Sequence, residues 1–139
     1  MPSLESRSHD WLVSRLVEAV PGIEQAVVVS ADGLPLAVSD GAAGERAEQF
    51  AAITAGMQSL AEGVARLFGK GQSEQVLLRM HGGHLIVAVL GGGSRLAVLT
   101  GPRADLKVVA YQMVLLAENA AHALDSPVRA GTPQRGAAA

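Results

Sequence analysis

Three apolar stretches, Gln75 to Met80, His84 to Leu90 and Arg95 to Thr100, are separated only by His81-Gly82-Gly83 and Gly91-Gly92-Gly93. Each stretch has the length of a strand. Each connection is a short glycine loop, the signature of a hairpin, whereas a parallel crossover needs a dozen or more residues. The three strands therefore form an antiparallel meander, and the rest of the chain has to fit around it.

A second hairpin lies earlier, in Gln25 to Ser39. Ala26 to Val29 is continuous and mostly β-branched, as in a strand covered on both faces. Ala31-Asp32-Gly33 supplies the turn, with a glycine that tolerates positive φ. The returning strand, Leu34 to Ser39, contains Pro35. Proline donates nothing to a ladder, so this strand belongs at an edge, which the proline blunts against other chains. Three helices complete the order. The first runs from about Asp10, capped by Asp10 or Ser8, to Val20. Its apolar face is Leu12, Val13, Leu16, Val17 and Val20, and Pro21-Gly22 stops it. The second runs from about Glu45 to Phe68, roughly 35 Å at 1.5 Å per residue, long enough to cross a whole sheet. The last starts near Pro102 and runs to about Leu124, with Leu106, Val109, Ala110, Met113, Leu116 and Ala120 on one face.

The expected fold is a single α/β domain of order α-ββ-α-βββ-α. The simplest closure sets the first strand beside the last in one five-stranded antiparallel sheet, with edges at Leu34–Ser39 and Gln75–Met80. The long helix joins those edges across one face, and the terminal helices take the other. The domain spans residues 9–124. Residues 1–8 read as a flexible arm, and residues 125–139 as a disordered tail, since they lack apolar periodicity.

Composition narrows the function. The 139 residues are 49% apolar and 17% charged, so apolar surface is left for doubly covered strands or for a partner. Net charge is −2 and aromatics are 3%, which speaks against nucleic acid. Without cysteine there are no disulfides, thiolate chemistry or zinc–cysteine sites. The polar N-terminus is no signal peptide, and glycine interrupts every apolar run, so no direct membrane insertion is expected. The expectation is a cytoplasmic protein, recruited to membranes only through partners.

The segment "PGIEQAVVVSADGLPLAVS" after an amphipathic helix, with "HLIVAVLGGGSRLAVLT" before the last one, resembles the Roadblock family. That family contains dynein light chains and bacterial regulators of small Ras-like GTPases. The likeness is greatest to actinobacterial members encoded beside a sensor-kinase-like protein and a small GTPase, and it covers about Asp10 to Leu124. The resemblance implies homodimerisation through the long helix and the adjacent edge strand, and a GTPase partner rather than an enzyme.

Two stripes mark the long helix. Phe50, Ile53, Met57, Leu60, Val64 and Leu67 recur at helical spacing and are expected to pack on the chain's own sheet. Ala52, Gly56, Ser59 and Gly63 form a second line, rotated by roughly a third of a turn at ~100° per residue. Glycine inside a helix costs about 1 kcal/mol against alanine. The line therefore suits close approach of another helix, although drift in a Gly/Ala-rich chain produces the same pattern. One helix is also too narrow to cover five strands. The candidate dimer interface is thus Ala52, Gly56, Ser59 and Gly63 with Val76 and Leu78 of the edge strand.

Other motifs read more plainly. Phe68 to Ser73, "FGKGQS", lacks the hydroxyl after Lys70 and follows a helix, so it is a helix stop rather than a phosphate loop. His81 and His84 do not fill a metal site by themselves. Ser30 and Asp32 lack a nucleophile elbow. Arg46, Arg66 and Arg95 carry no mark of an inserted finger. No catalytic residue, cofactor or metal is expected. The reading is a homodimeric regulatory or scaffold protein that binds a small Ras-like GTPase and couples it to a sensor-kinase-like partner, with modulation of GTP hydrolysis as an extension. The alternatives are a small-ligand sensor domain and a purely structural adaptor without a GTPase.

Overall fold

Apolar spacing at three and four residues closes the first helix, α1 (Asp10–Ala19), and the extended conformation at Val20 ends it. The computed structural model describes residues 9–39 and 44–131. After α1 come β1 (Ile23–Val29), β2 (Pro35–Val38), the long helix α2 (Gly44–Phe68), β3 (Gln75–Met80), β4 (Gly83–Val89), β5 (Arg95–Thr100) and α3 (Leu106–Gly131). Every strand pairing is antiparallel, and the sheet order is β2-β1-β5-β4-β3. The first strand lies beside the last, the simplest closure of the hairpin and the meander.

Alternation along the central strands divides the core into two layers. Ala26 and Val28 of β1, Ile86 of β4, and Leu96 and Val98 of β5 point to one face, where they pack with Val13 and Leu16 of α1 and Val109, Met113 and Leu116 of α3. Val27, Val29, Leu85, Val87 and Ala97 point to the other face, under α2. The central strands are thus apolar on both sides because helices cover both sides. Each fully buried valine or leucine contributes about 1.5–3 kcal/mol by leaving water.

The two edges of the sheet differ. On β2, Pro35 has no N–H, and the outward N–H of Val38 is taken by Asp10 Oδ1 at 2.9 Å. Asp10 is therefore not the N-cap of α1. It is the first helical residue, and its carboxylate reaches across to shut the β2 edge. On β3 the outer edge carries no such cover among the described residues. Its six residues pair with β4 alone.

Glycine is required at the start of β4. Gly83 has φ +156°, and a Cβ there would lie 1.9 Å from the Thr100 carbonyl oxygen of β5. The hairpin before it closes against that backbone.

One boundary differs from expectation. The last helix continues past Leu124 to Gly131. Residues 125–131, expected to be disordered, are therefore part of α3. The arm at residues 1–8 and the end of the tail at residues 132–139 lie outside the described residues.

Candidate protein-binding face

Helix α2 meets its own sheet through small and polar side chains. Among the described residues, Ala47, Ala51, Thr54, Gln58 and Ala65 are its buried ones. This corrects the expectation that the bulky stripe would pack inward. Only Phe50 and Met57 of that stripe are half-buried against the sheet. Ile53, Leu60, Val64 and Leu67 are 57%, 75%, 58% and 75% exposed. At ~100° per residue the bulky line sits about a third of a turn from the buried one. The physical reason is packing volume. The sheet already presents Val27, Val29, Leu85 and Val87 on this face. Alanine-sized side chains let a helix lie close on such a surface, whereas leucines there would force it away.

The exposed line continues in character onto the open edge. Register pairs Val76 with Val87 and Leu78 with Leu85, so both share the α2 side of the sheet. Val76 is half-buried, while Leu78 and Met80 are each 41% exposed. The helix thus leaves bulky apolar side chains open on the side of the sheet where the edge strand β3 also shows apolar residues. Monomeric proteins rarely expose apolar surface in this concentration unless something binds it.

The small-residue line flanks the bulky one. Ala52, Gly56 and Ser59 are exposed and Gly63 is half-buried. A Cβ added at Gly56 or Gly63 would meet nothing within 4 Å. Neither glycine is needed for packing within one copy. Gly56→Ala should therefore stabilise the isolated fold by about 0.5–1 kcal/mol through helix propensity alone. Urea denaturation of a monomeric variant background measures this. A loss of stability there would show that the glycine's conformation is used inside the monomer.

The remaining candidates are placed as follows. Ser30 Oγ donates to Asp32 Oδ1 and accepts the Leu34 N–H, so this pair holds the β1–β2 turn. The Phe68–Ser73 segment ends α2: Lys70 N–H donates to Ala65 O at 2.8 Å and Gly69 takes φ +65°. His81 is exposed in the β3–β4 turn, whereas His84 is buried within β4 with neither ring nitrogen hydrogen-bonded among the described residues. Arg46 and Arg66 are exposed, and Arg95 Nη1 is held by the carbonyls of Gly93 and Ser94. Among the described residues no group of three or more His, Cys, Asp or Glu side chains gathers as a metal site, and no helix is long and apolar enough to cross a membrane.

Residues 9–100 match the family model described as the Roadblock/LC7 domain. The chain is similar to a Roadblock/LC7 domain from Streptomyces avermitilis, with 37% identity and a TM-score of 0.79, covering 83% of this chain and 96% of the other. It shares its fold with Myxococcus xanthus MglB at 17% identity and a TM-score of 0.80, covering 91% of this chain and 94% of MglB. The same holds for a structure described as MglB with tetrameric arrangement, at 16% identity, a TM-score of 0.74, and coverage of 88% and 91%. No curated protein matches the chain.

Proposed function

The chain belongs to the Roadblock/LC7 family, and from that premise we propose that it is a homodimeric regulatory scaffold that binds a small Ras-like GTPase and couples it to a sensor-kinase-like partner. One observation carries the reading: α2 turns Ile53, Leu60, Val64 and Leu67 away from its own sheet, on the side where Leu78 and Met80 show at the open β3 edge. A second copy meeting this face buries both features at once. Pairing of the two β3 edges joins the sheets into one continuous platform, and the two α2 helices pack against each other above it. A structure of the same fold is described as having a tetrameric arrangement, which supports self-association of this fold.

The GTPase partner rests on the likeness of the sequence to bacterial regulators of such enzymes. The chain itself performs no chemistry in this reading. It acts on hydrolysis, where it does so, by positioning the GTPase's own residues. A GTPase's switch segments are ordered by the γ-phosphate and loosen on hydrolysis. A rigid dimer that contacts them binds one nucleotide state more tightly, because only differential contact shifts an equilibrium. Interferometry with the Ras-like GTPase encoded nearest to this chain, loaded with GDP or a non-hydrolysable GTP analogue, should show affinities about tenfold or more apart. Equal affinities would reduce the protein to a passive scaffold. Absence of binding would favour a structural adaptor.

A further inference from the structure

Helices α1 and α3 lie side by side on the face of the sheet opposite α2. Between them runs an open groove of about 460 Å³. Leu12, Leu16, Leu115 and Leu116 give it an apolar floor. Leu16 and Leu116 belong to the buried core below, while Leu12 and Leu115 are half-buried. Trp11 is 50% exposed at the rim, and Arg15, Ala19 and Asn119 are exposed with it. The side chains that would meet an occupant are therefore open to one. On α1 the lining positions Trp11, Arg15 and Ala19 step by four residues, and on α3 Gln112, Leu115 and Asn119 step by three and four. Each set is one flank of its helix, about 10–12 Å long at 1.5 Å per residue, or two turns.

The lining restricts what the groove can hold. An extended segment brings a free N–H and C=O with every residue, and each needs a partner once water is excluded. Only Trp11, Arg15, Gln112 and Asn119 offer polar atoms along the groove. A helix closes its own backbone hydrogen bonds, and a third helix fits between two packed ones at the usual spacing of about 8–10 Å between axes. The charge is restricted too. Among the described residues Arg15 is the single charged side chain lining the groove, and its guanidinium lies 5.9 Å from the centre of the Trp11 ring. The rim is thus positive and favours a carboxylate on the occupant. The geometry points to a docking site for an amphipathic helix of a partner protein, two turns of which lay leucine-like side chains against Trp11, Leu12 and Leu115 and set a carboxylate toward Arg15. The second copy is assigned to the α2 face, across the sheet, so both sites can be filled at once. The proposal adds a second docking face to the scaffold and needs neither the dimer nor the GTPase.

Trp11 is the only tryptophan in the chain, so its fluorescence reports on the groove directly. The probe is a blocked helical peptide of about 14 residues, four turns, built from leucine, alanine, glutamine and glutamate, with the leucines on one face and the glutamates flanking them. Titrated into the whole chain, it should shift Trp11 emission to the blue and saturate, with a dissociation constant on the order of 100 µM for two turns of contact. The same peptide with lysine for glutamate should bind about threefold more weakly. A version with its leucines scattered around the helix, and one broken by a central proline, should give no response. Arg15→Glu should reverse the preference between the glutamate and lysine peptides. Ala19→Glu adds bulk and negative charge at an exposed position of the groove and should weaken the glutamate peptide about tenfold, with an unchanged circular dichroism spectrum. Leu60→Asp, on the α2 face, should leave binding as it is. Failure of every peptide to bind, or equal binding of the scattered and proline versions, would overturn the proposal. A deletion of residues 1–8 that moves Trp11 emission to the red and tightens peptide binding tenfold would identify the chain's own arm as the occupant and overturn the partner helix.

Discussion

Leu60→Asp should convert the proposed dimer into a folded monomer. Leu60 is 75% exposed in a single copy, so the substitution removes almost no packing within it. Such surface changes usually alter stability by less than about 0.5 kcal/mol. In the dimer the same position lies at the centre of the outer α2 line, between Ile53 and Leu67. An unpaired carboxylate enclosed there costs about 3–5 kcal/mol, enough to raise the dissociation constant by more than 100-fold. A dilution series in the analytical ultracentrifuge reads the association, and circular dichroism reads the fold. A native-like spectrum with loss of the dimer is the expected pair of results. An unchanged dissociation constant would remove the outer face of α2 from the interface, and with it the main support for the platform.

Gly83→Ala should damage the fold more than any conservative substitution on the surface. The added Cβ, whose position the backbone fixes, would stand 1.9 Å from the Thr100 carbonyl oxygen, a backbone atom of the adjoining strand. No side-chain rotation relieves the clash. β4 must separate from β5 locally, or the turn must change its φ of +156°. Overpacking a rigid site costs about 1–3 kcal/mol and more where backbone moves. A loss of about 3 kcal/mol lowers the melting temperature of a domain this size by roughly 10 °C or more. Gly82→Ala is the control, since a Cβ there meets nothing within 4 Å. Calorimetry of the two variants should separate them clearly. Similar melting temperatures would mean that the β4–β5 backbone spacing is more compliant than the structure shows.

The strands and their order were legible because local chemistry dictates them. Gly82-Gly83 and Gly91–Gly93 leave no room for anything but hairpins, and Pro35 marks its strand as an edge. The orientation of α2 was not legible from its apolar period. A stripe of Phe50, Ile53, Met57, Leu60, Val64 and Leu67 announces an apolar face, but periodicity is silent on whether that face meets the same chain or another. The missed signal was the quieter line of Ala47, Ala51, Thr54, Gln58 and Ala65. Its members are small or polar and recur at helical spacing, which suits contact with a crowded β-branched surface. The second closure of the β2 edge was hidden likewise, because Asp10 and Val38 are distant in sequence and Asp10 reads naturally as a helix cap.

That closure has a consequence for what the protein does at high concentration. A sheet with two open edges polymerises, since each addition exposes a fresh edge for the next. Here Pro35 and Asp10 shut the β2 side, so strand pairing through β3 uses up the available valence in a single step. The joined sheet ends on β2 at both extremities, and growth by this route halts at two copies. If the proposed β3 pairing holds, crowding should drive the chain toward a finite, closed particle rather than a fibre, with two contacts at one strand setting that stoichiometry.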